Sequence, residues 1–322
     1  MNEIITTQSL TKYYGSLLAV DHISMQVKEG EIFGFLGPNG AGKTTTIKML
    51  VGLTTPSEGT ATVKGYDIRR EILNVKRCVG VVPETSNLYN ELTIWENLHF
   101  MAGMYHVTKI EREDRVKSLL NTFGLADRGD AKFGVLSKGL KRRATIAAAL
   151  VHRPEILFLD EPTSGLDVMS ARSLRQFLKD LRETGVTVFL TTHYIEEADQ
   201  LCDRIAIIVK GQIIAVDTPE KLKAVVQGTS VIEAAFTSPV ESINLEELEA
   251  YGQVEAKDNT LWIRVSDVSE PLRALTRFAD DHALKFVYMN TLKPSLEDAF
   301  VQLTGMESEV MLLEKERRGE GG

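Results

Sequence analysis

No apolar run in this chain approaches the ~18 residues that a membrane-crossing helix needs. The longest, such as Ile205-Ala206-Ile207-Ile208-Val209, have the length of a buried strand. The opening residues Met1-Asn2-Glu3-Ile4-Ile5 have neither a basic segment nor the long apolar core of a secretion signal. The expectation is a cytoplasmic protein, at most peripheral to a membrane. Cysteine is scarce. Cys78 and Cys202 are the only two, and neither has a nearby Cys or His at metal-ligand spacing, so reduced, structural thiols are expected. A surplus of positive charge is also lacking: 37 Lys and Arg face 45 Asp and Glu, for a formal net charge of −8. A broad phosphate-binding surface needs a basic face, which argues against nucleic acid as a partner.

What remains is an ordinary globular composition, 43% hydrophobic and 25% charged, in 322 residues, enough for two domains. The most informative stretch is Gly37-Pro38-Asn39-Gly40-Ala41-Gly42-Lys43-Thr44-Thr45, which fits the phosphate-binding P-loop pattern. Ile32 to Leu36 reads as a strand before it and Thr46 to Val51 as a helix after it. The glycines let successive amides curl around phosphate oxygens, and the helix N-terminus adds partial positive charge. Lys43 can reach the β- and γ-phosphates, and the Thr44 hydroxyl suits Mg²⁺. The nucleotide is therefore a triphosphate.

Before the P-loop, Ile4 to Tyr14 alternates like an edge strand, and Ala19 to Val27 reads as a second strand. Antiparallel strands ahead of the nucleotide strand are unusual for a plain doubly wound sheet. Tyr14, just before a glycine turn, is a candidate platform for adenine; taken in isolation, packing on the edge of the small sheet is the better explanation. Thr60 to Gly65 and Val79 to Glu84 read as further strands. A helical insert, about 85–150, interrupts the core, with Thr93 capping one helix and Ser137 capping an alanine-rich one.

Ile156-Leu157-Phe158-Leu159-Asp160-Glu161 is a continuous apolar run ending in two carboxylates. That pattern predicts a central parallel strand, and open α/β sheets bind ligands at the C-terminal ends of such strands. Asp160 suits Mg²⁺, directly or through water. Glu161, one residue on and expected to point the other way, is free to orient or deprotonate a water. Ser164 to Asp167 forms a tight polar loop. Val186 to Thr192 is another buried strand, and His193 at its end could touch the γ-phosphate or simply cap the next helix. Ile205 to Val216 reads as a hairpin around Lys210-Gly211.

Beyond about residue 226 the order of elements, β-α-β-β-α-β, suggests a small ferredoxin-like unit with no catalytic constellation. Ser295 caps a closing helix, and the end reads as a frayed tail. The expected organisation is 1–225 for the ATPase, 226–305 for an accessory α+β domain and 306–322 for the tail.

Taken together, residues 1 to about 220 resemble the nucleotide-binding subunit of an ABC transporter. Leu136-Ser137-Lys138-Gly139-Leu140 stands where that family has its L-S-G-G-Q signature. Asp160-Glu161 matches the Walker B end, Ser164 to Asp167 the D-loop, His193 the switch histidine and Tyr14 the adenine-stacking aromatic. Pro294 to Phe300 and the C-terminal extension are similar to drug- and polysaccharide-export ATPases of the daunorubicin-resistance and nodulation-factor kind. Glu84 replaces the family's glutamine, and a carboxylate there can still serve Mg²⁺; Lys138 and Leu140 replace a Gly and a Gln.

The resemblance implies an α/β fold: a P-loop NTPase core with an N-terminal antiparallel β subdomain, a helical insert and the small C-terminal domain. It also implies an ATPase that needs ATP and Mg²⁺ and packs head to tail with a second copy. Each ATP would lie between the P-loop of one chain and Ser137 and Gly139 of the other, with Asp167 linking the two sites. A separate membrane permease would carry the cargo, placing the chain at the cytoplasmic face of the membrane, with export the implied direction. A soluble ABC ATPase with a regulatory role is the alternative, and a P-loop small-molecule kinase a third class that has no use for the signature or switch histidine.

Overall fold

The computed structural model describes residues 2–226, 230–241, 243–292 and 294–306. Beyond Met306, the expected tail lies outside the described residues. The chain divides into two compact units, one running to Pro219 and the other spanning Glu220–Met306.

The first unit is built on a six-stranded sheet. Its order is Gln212–Asp217, Arg204–Val209, Ile32–Leu36, Thr187–Thr192, Ile156–Asp160, Val79–Val82. All neighbours are parallel except the first pair, a hairpin turned by Lys210 and Gly211, both at positive φ. Strands 32–36, 156–160 and 187–192 are buried at every position, which is why their sequences are continuous apolar runs and not alternations. Phe189 lies at the centre, its ring centroid 5.6 Å from Phe33, 5.6 Å from Phe35 and 5.4 Å from Phe158.

A second, antiparallel sheet holds Leu17–Ile23, Glu3–Tyr14, Glu58–Val63 and Tyr66–Asp67 in that order, with Gln26–Lys28 also on the long strand. Two sequence expectations are corrected here. Glu3–Tyr14 is no edge strand, because it pairs on both sides, with Leu17–Ile23 and with Glu58–Val63. Its twelve residues are long enough to serve several partners in succession. The strand expected over 19–27 breaks at Ser24-Met25, and its second piece, Gln26–Lys28, joins the start of the long strand. One apolar core joins the two sheets through the P-loop helix, with Ile5 and Val63 from the antiparallel sheet, Met49 and Leu50 from the helix, and Phe35 and Phe189 from the parallel sheet.

Helices Ile94–Met104, Lys109–Thr122 and Lys138–Ala149 form the expected insert. Thr93 closes a capping box with Glu96, and Ser137 accepts from the Leu140 amide. Sequence reading did not assign helices Ile72–Cys78, Val168–Glu183 and Ile195–Leu201. The longest of them starts at Asp167, whose carboxylate accepts from the Ser170 amide and hydroxyl. Cys78 and Cys202 are free and buried.

In the second unit the sheet order is Gln253–Lys257, Thr260–Val265, Ser230–Phe236, Phe286–Leu292, antiparallel throughout, with helices Glu246–Glu249 and Ser269–Asp281 in the crossovers. That is the ferredoxin-like arrangement expected. Ile232, Phe236, Ile263, Leu275 and Phe278 form its own core.

Truncating Phe189 to alanine removes the ring that three others meet and leaves a cavity worth about 3–5 kcal/mol; urea unfolding of Phe189→Ala measures it. His152 supplies a pH-dependent term. Its ring stacks on Tyr105 at 3.7 Å, and its Nε2 donates to the Val79 carbonyl at 3.0 Å. Burial depresses its pKa from 6.5 to about 4, against the Val79 bond, with Arg115 adding to the depression. The unfolded chain therefore takes up the proton first, and the stability present above pH 6.5 is lost as pH falls toward about 4. Melting temperatures over that window are expected to fall less steeply for His152→Gln than for the parent chain.

Candidate nucleotide site

The P-loop leaves strand Ile32–Leu36 and enters helix Lys43–Leu50 through Gly42, whose φ of 102° is a region L side chains rarely adopt. A Cβ there would meet the Ala19 carbonyl at 2.6 Å, and one at Gly37 would meet the Ile208 carbonyl at 2.1 Å. Gly42 caps the helix without a side-chain bond, so the amides of the first turn keep their capacity to bind an anion. Pro38, Asn39, Gly40, Ala41 and Thr45 complete the loop.

Two neighbouring P-loop residues meet two neighbouring carboxylates. Thr44 Oγ1 donates to Asp160 Oδ2 at 2.8 Å, and Lys43 Nζ lies 3.1 Å from Glu161 Oε1. Lys43 Nζ also donates to the carbonyls of Gly37 at 2.7 Å and Pro38 at 3.1 Å. The structure corrects one expectation for Glu161. Its φ is +48°, so strand alternation ends at Asp160 and both carboxylates reach the P-loop. Glu161 is consequently not free: His193 Nδ1 donates to its second oxygen at 2.8 Å. Lys43, Glu161 and His193 are buried. Burial pushes the Glu161 carboxyl up, but the His193 bond and the Lys43 charge outweigh it, and the pKa ends below the ordinary glutamate value.

Sequence reading missed three residues of this site. Thr191 faces Asp160 in the parallel register; its hydroxyl donates to Asp160 Oδ1 at 2.6 Å and accepts from the Glu161 amide at 3.1 Å. The signal available was its position in the strand beside Asp160. Glu197, four positions past His193, is buried, and burial raises its pKa. Arg142, in the helix that Ser137 caps, is buried against the carbonyl ends of this region, and desolvation lowers its pKa to about 10.

Other expected residues stand apart. Ser137 is exposed and Gly139 partly so; Asp167 is exposed beside Val168 and Met169, which are 79% and 72% exposed. Among the described residues no hydrogen bond joins Ser137, Gly139 or Asp167 to the P-loop. Tyr14 is 47% exposed, with the Lys12 ammonium 5.1 Å from its ring centre. Glu84 is exposed on the wall of a 530 Å³ cavity that also takes in Lys138, Lys141, Arg142 and Ser164; no hydrogen bond joins it to Thr44 or Asp160 among the described residues.

No group of three or more His, Cys, Asp or Glu among the described residues can hold a metal ion by itself. The hydroxyl–carboxylate pair Thr44–Asp160 does fit Mg²⁺, which takes few protein oxygens and completes its shell with phosphate and water.

A family model described as ABC transporter matches residues 20–164. The chain is 38% identical over 306 residues to the linearmycin resistance ATP-binding protein of Bacillus subtilis, covering 94% of this chain and 98% of that protein. It is 40% identical over 304 residues to a Nod factor export ATP-binding protein of Burkholderia lata, covering 94% and 97%. Among solved structures, a cbiO1 protein of Clostridium perfringens, part of an ABC transporter complex, matches with TM-score 0.65 at 28% identity, covering 70% of this chain and 92% of that one. A dimeric ATP-binding cassette in a post-hydrolysis state with ADP and Pi matches with TM-score 0.61 at 28% identity, covering 66% and 98%.

Thr191→Val keeps the side chain's shape and removes a hydroxyl that serves both Asp160 and the Glu161 amide. Leaving those groups short of a partner is expected to cost about 1–3 kcal/mol without nucleotide, read from urea unfolding.

Proposed function

The chain belongs to the ABC transporter family, and on that premise we propose that its P-loop forms half of an ATP site that a second copy completes. It binds and hydrolyses ATP as the subunit that powers a separate membrane permease of the export type. The paired junction of Thr44 with Asp160 and Lys43 with Glu161 carries the reading of the site.

In that reading the P-loop amides and Lys43 hold the β- and γ-phosphates, and Tyr14 stacks on adenine. Thr44 and Asp160 hold Mg²⁺, with Glu84 approaching from the loop after strand Val79–Val82; the ion supplies charge neutralisation at the phosphates. The Lys43 ammonium is bonded to Glu161 and to the carbonyls of Gly37 and Pro38. A triphosphate competes for that ammonium and frees Glu161 to accept a proton from the attacking water. The His193 hydrogen bond, which lowers the Glu161 pKa more than any other contact, does not depend on Lys43 and favours the ionised form a base needs. His193 steadies Glu161 and the γ-phosphate.

Ser137, Asp167, Val168 and Met169, which are exposed, and the half-buried Gly139 support the second half of the proposal, since among the described residues none is bonded to the chain's own P-loop. They face the nucleotide of the other copy, which makes ATP a removable joint between subunits. No described helix is long and apolar enough to cross a membrane; the relatives matched over nearly their whole length are named as ATP-binding proteins, which supports a permease on a separate chain with this subunit on its cytoplasmic face. Tyr89 and Phe100, exposed and in edge-to-face contact at 5.4 Å, with Met104 exposed nearby on the helix, offer an apolar surface beside the Glu84 loop for the permease. A soluble regulatory role would leave that surface without use.

Glu161→Gln tests the site. The variant is expected to bind ATP with unchanged affinity, to elute as a dimer with ATP, and to lose about 10²–10⁴-fold in turnover. Wild-type turnover, or a variant that stays monomeric with ATP bound, would sink the mechanism.

A further inference from the structure

Arg142 uses its planar fork on backbone. Nη1 donates to the Pro83 carbonyl at 2.6 Å, Nη2 to the Asp160 carbonyl at 2.8 Å and Nε to the Pro162 carbonyl at 2.9 Å. Among the described residues no carboxylate lies within ion-pair distance of it, and it is 8% exposed. Burying a guanidinium is costly, even with the charges of Asp160, Glu197, Glu84 and Glu161 near enough to favour its charged form. The carbonyls it grips explain the choice. Those of residues 160 and 162 flank Glu161, and that of Pro83 precedes Glu84.

Glu161 is held in a left-handed conformation, at φ +48°, which persists only where the surroundings over-determine it. From one side its amide donates to the carbonyl and hydroxyl of Thr191, each at 3.1 Å. Arg142 grips the carbonyl of the peptide that enters Glu161 and, past it, the carbonyl of Pro162. It does so from helix Lys138–Ala149, whose N-cap is Ser137.

We propose that Arg142 is the positioning residue for Glu161: it sets the turn that aims the carboxylate, and it makes that aim depend on where the Ser137 helix and the Glu84 segment lie. The inference rests on the reading of Glu161 as the base. Its consequence is a link between the two sites of a dimer. Ser137 answers to the nucleotide on the other chain, while Glu161 serves the nucleotide on its own. A rigid helix with Ser137 at its start and Arg142 along its length carries the first event to the second. Arginine is required because three carbonyls on two segments, at Pro83 and at Asp160 and Pro162, need a planar, multi-donor head; a lysine ammonium is a single point.

The test is a cycle of four full-length chains: wild type, Arg142→Lys, Glu161→Gln and the double variant. Each is assayed for ATP hydrolysis at steady state and in single turnover. Arg142→Lys is expected to lower kcat about 10–100-fold, the scale of a catalytic group displaced by about 1 Å, while KM for ATP moves less than about threefold. Added to Glu161→Gln it is expected to cause no further loss, because its effect runs through Glu161. An equal loss on both backgrounds, a KM that rises in step with the fall in kcat, or unchanged turnover overturns the proposal. Should Arg142→Lys fail to fold by thermal melting, Arg142→Gln, which can still reach one carbonyl, takes its place under the same criteria. Wild-type turnover in Glu161→Gln alone would instead overturn the reading of Glu161, a separate outcome.

Discussion

The junction between Asp160-Glu161 and Lys43-Thr44 is the constraint on which the rest of the first unit depends. Two carboxylates and an ammonium are buried together there, and each would be costly alone. The sheet order makes the meeting possible. Strand Thr187–Thr192 lies between the P-loop strand and the Walker B strand, and it contributes Thr191, which serves Asp160 and the Glu161 backbone at once. Parallel strands bring all three C-terminal ends to one edge, and the P-loop glycines allow the loop to close over it.

Around that junction the chain divides its residues by what they can satisfy. His193, Glu161 and Lys43 find partners within the chain and are buried. Ser137, Asp167, Val168 and Met169 are exposed, and among the described residues the side chains of Ser137 and Asp167 bond at their own helix starts. Such a split suits a protein whose site is finished by another copy. Arg142 stands between the two sets: its helix begins in the exposed one, and its guanidinium ends in the buried one.

The parts legible from sequence were those that local chemistry dictates. A glycine-rich loop before a lysine and threonine, apolar runs of strand length, and Thr93 or Ser137 as helix caps each carry their physics within a few residues. The errors fell where pairing decides. The alternation of Ile4 to Tyr14 described half-burial correctly but not the partners on both sides. The break at Ser24-Met25 has no strong turn signal. Helix Val168–Glu183 buries only Leu174 and Leu178, so its apolar stripe is a weak local signal. Glu161 was assigned by alternation to the opposite face, and a positive φ brought it back. No propensity predicts a left-handed glutamate; the hydrogen bonds of Thr191 and Arg142 hold it.

By itself the sequence determined the family, the triphosphate and the candidate residues, because phosphate binding needs particular groups at fixed spacing along one short stretch. It also determined the ferredoxin-like order of the second unit, since element types follow from local periodicity. Only the tertiary structure decided that Lys43 and Thr44 would pair with Glu161 and Asp160, that Thr191 would serve the Asp160 carboxylate and the Glu161 amide, and that Arg142 would bind three carbonyls from two segments. Those groups are far apart in the chain. Their distances are set by strand order and by the requirement that buried charges find partners, and neither is written in local spacing.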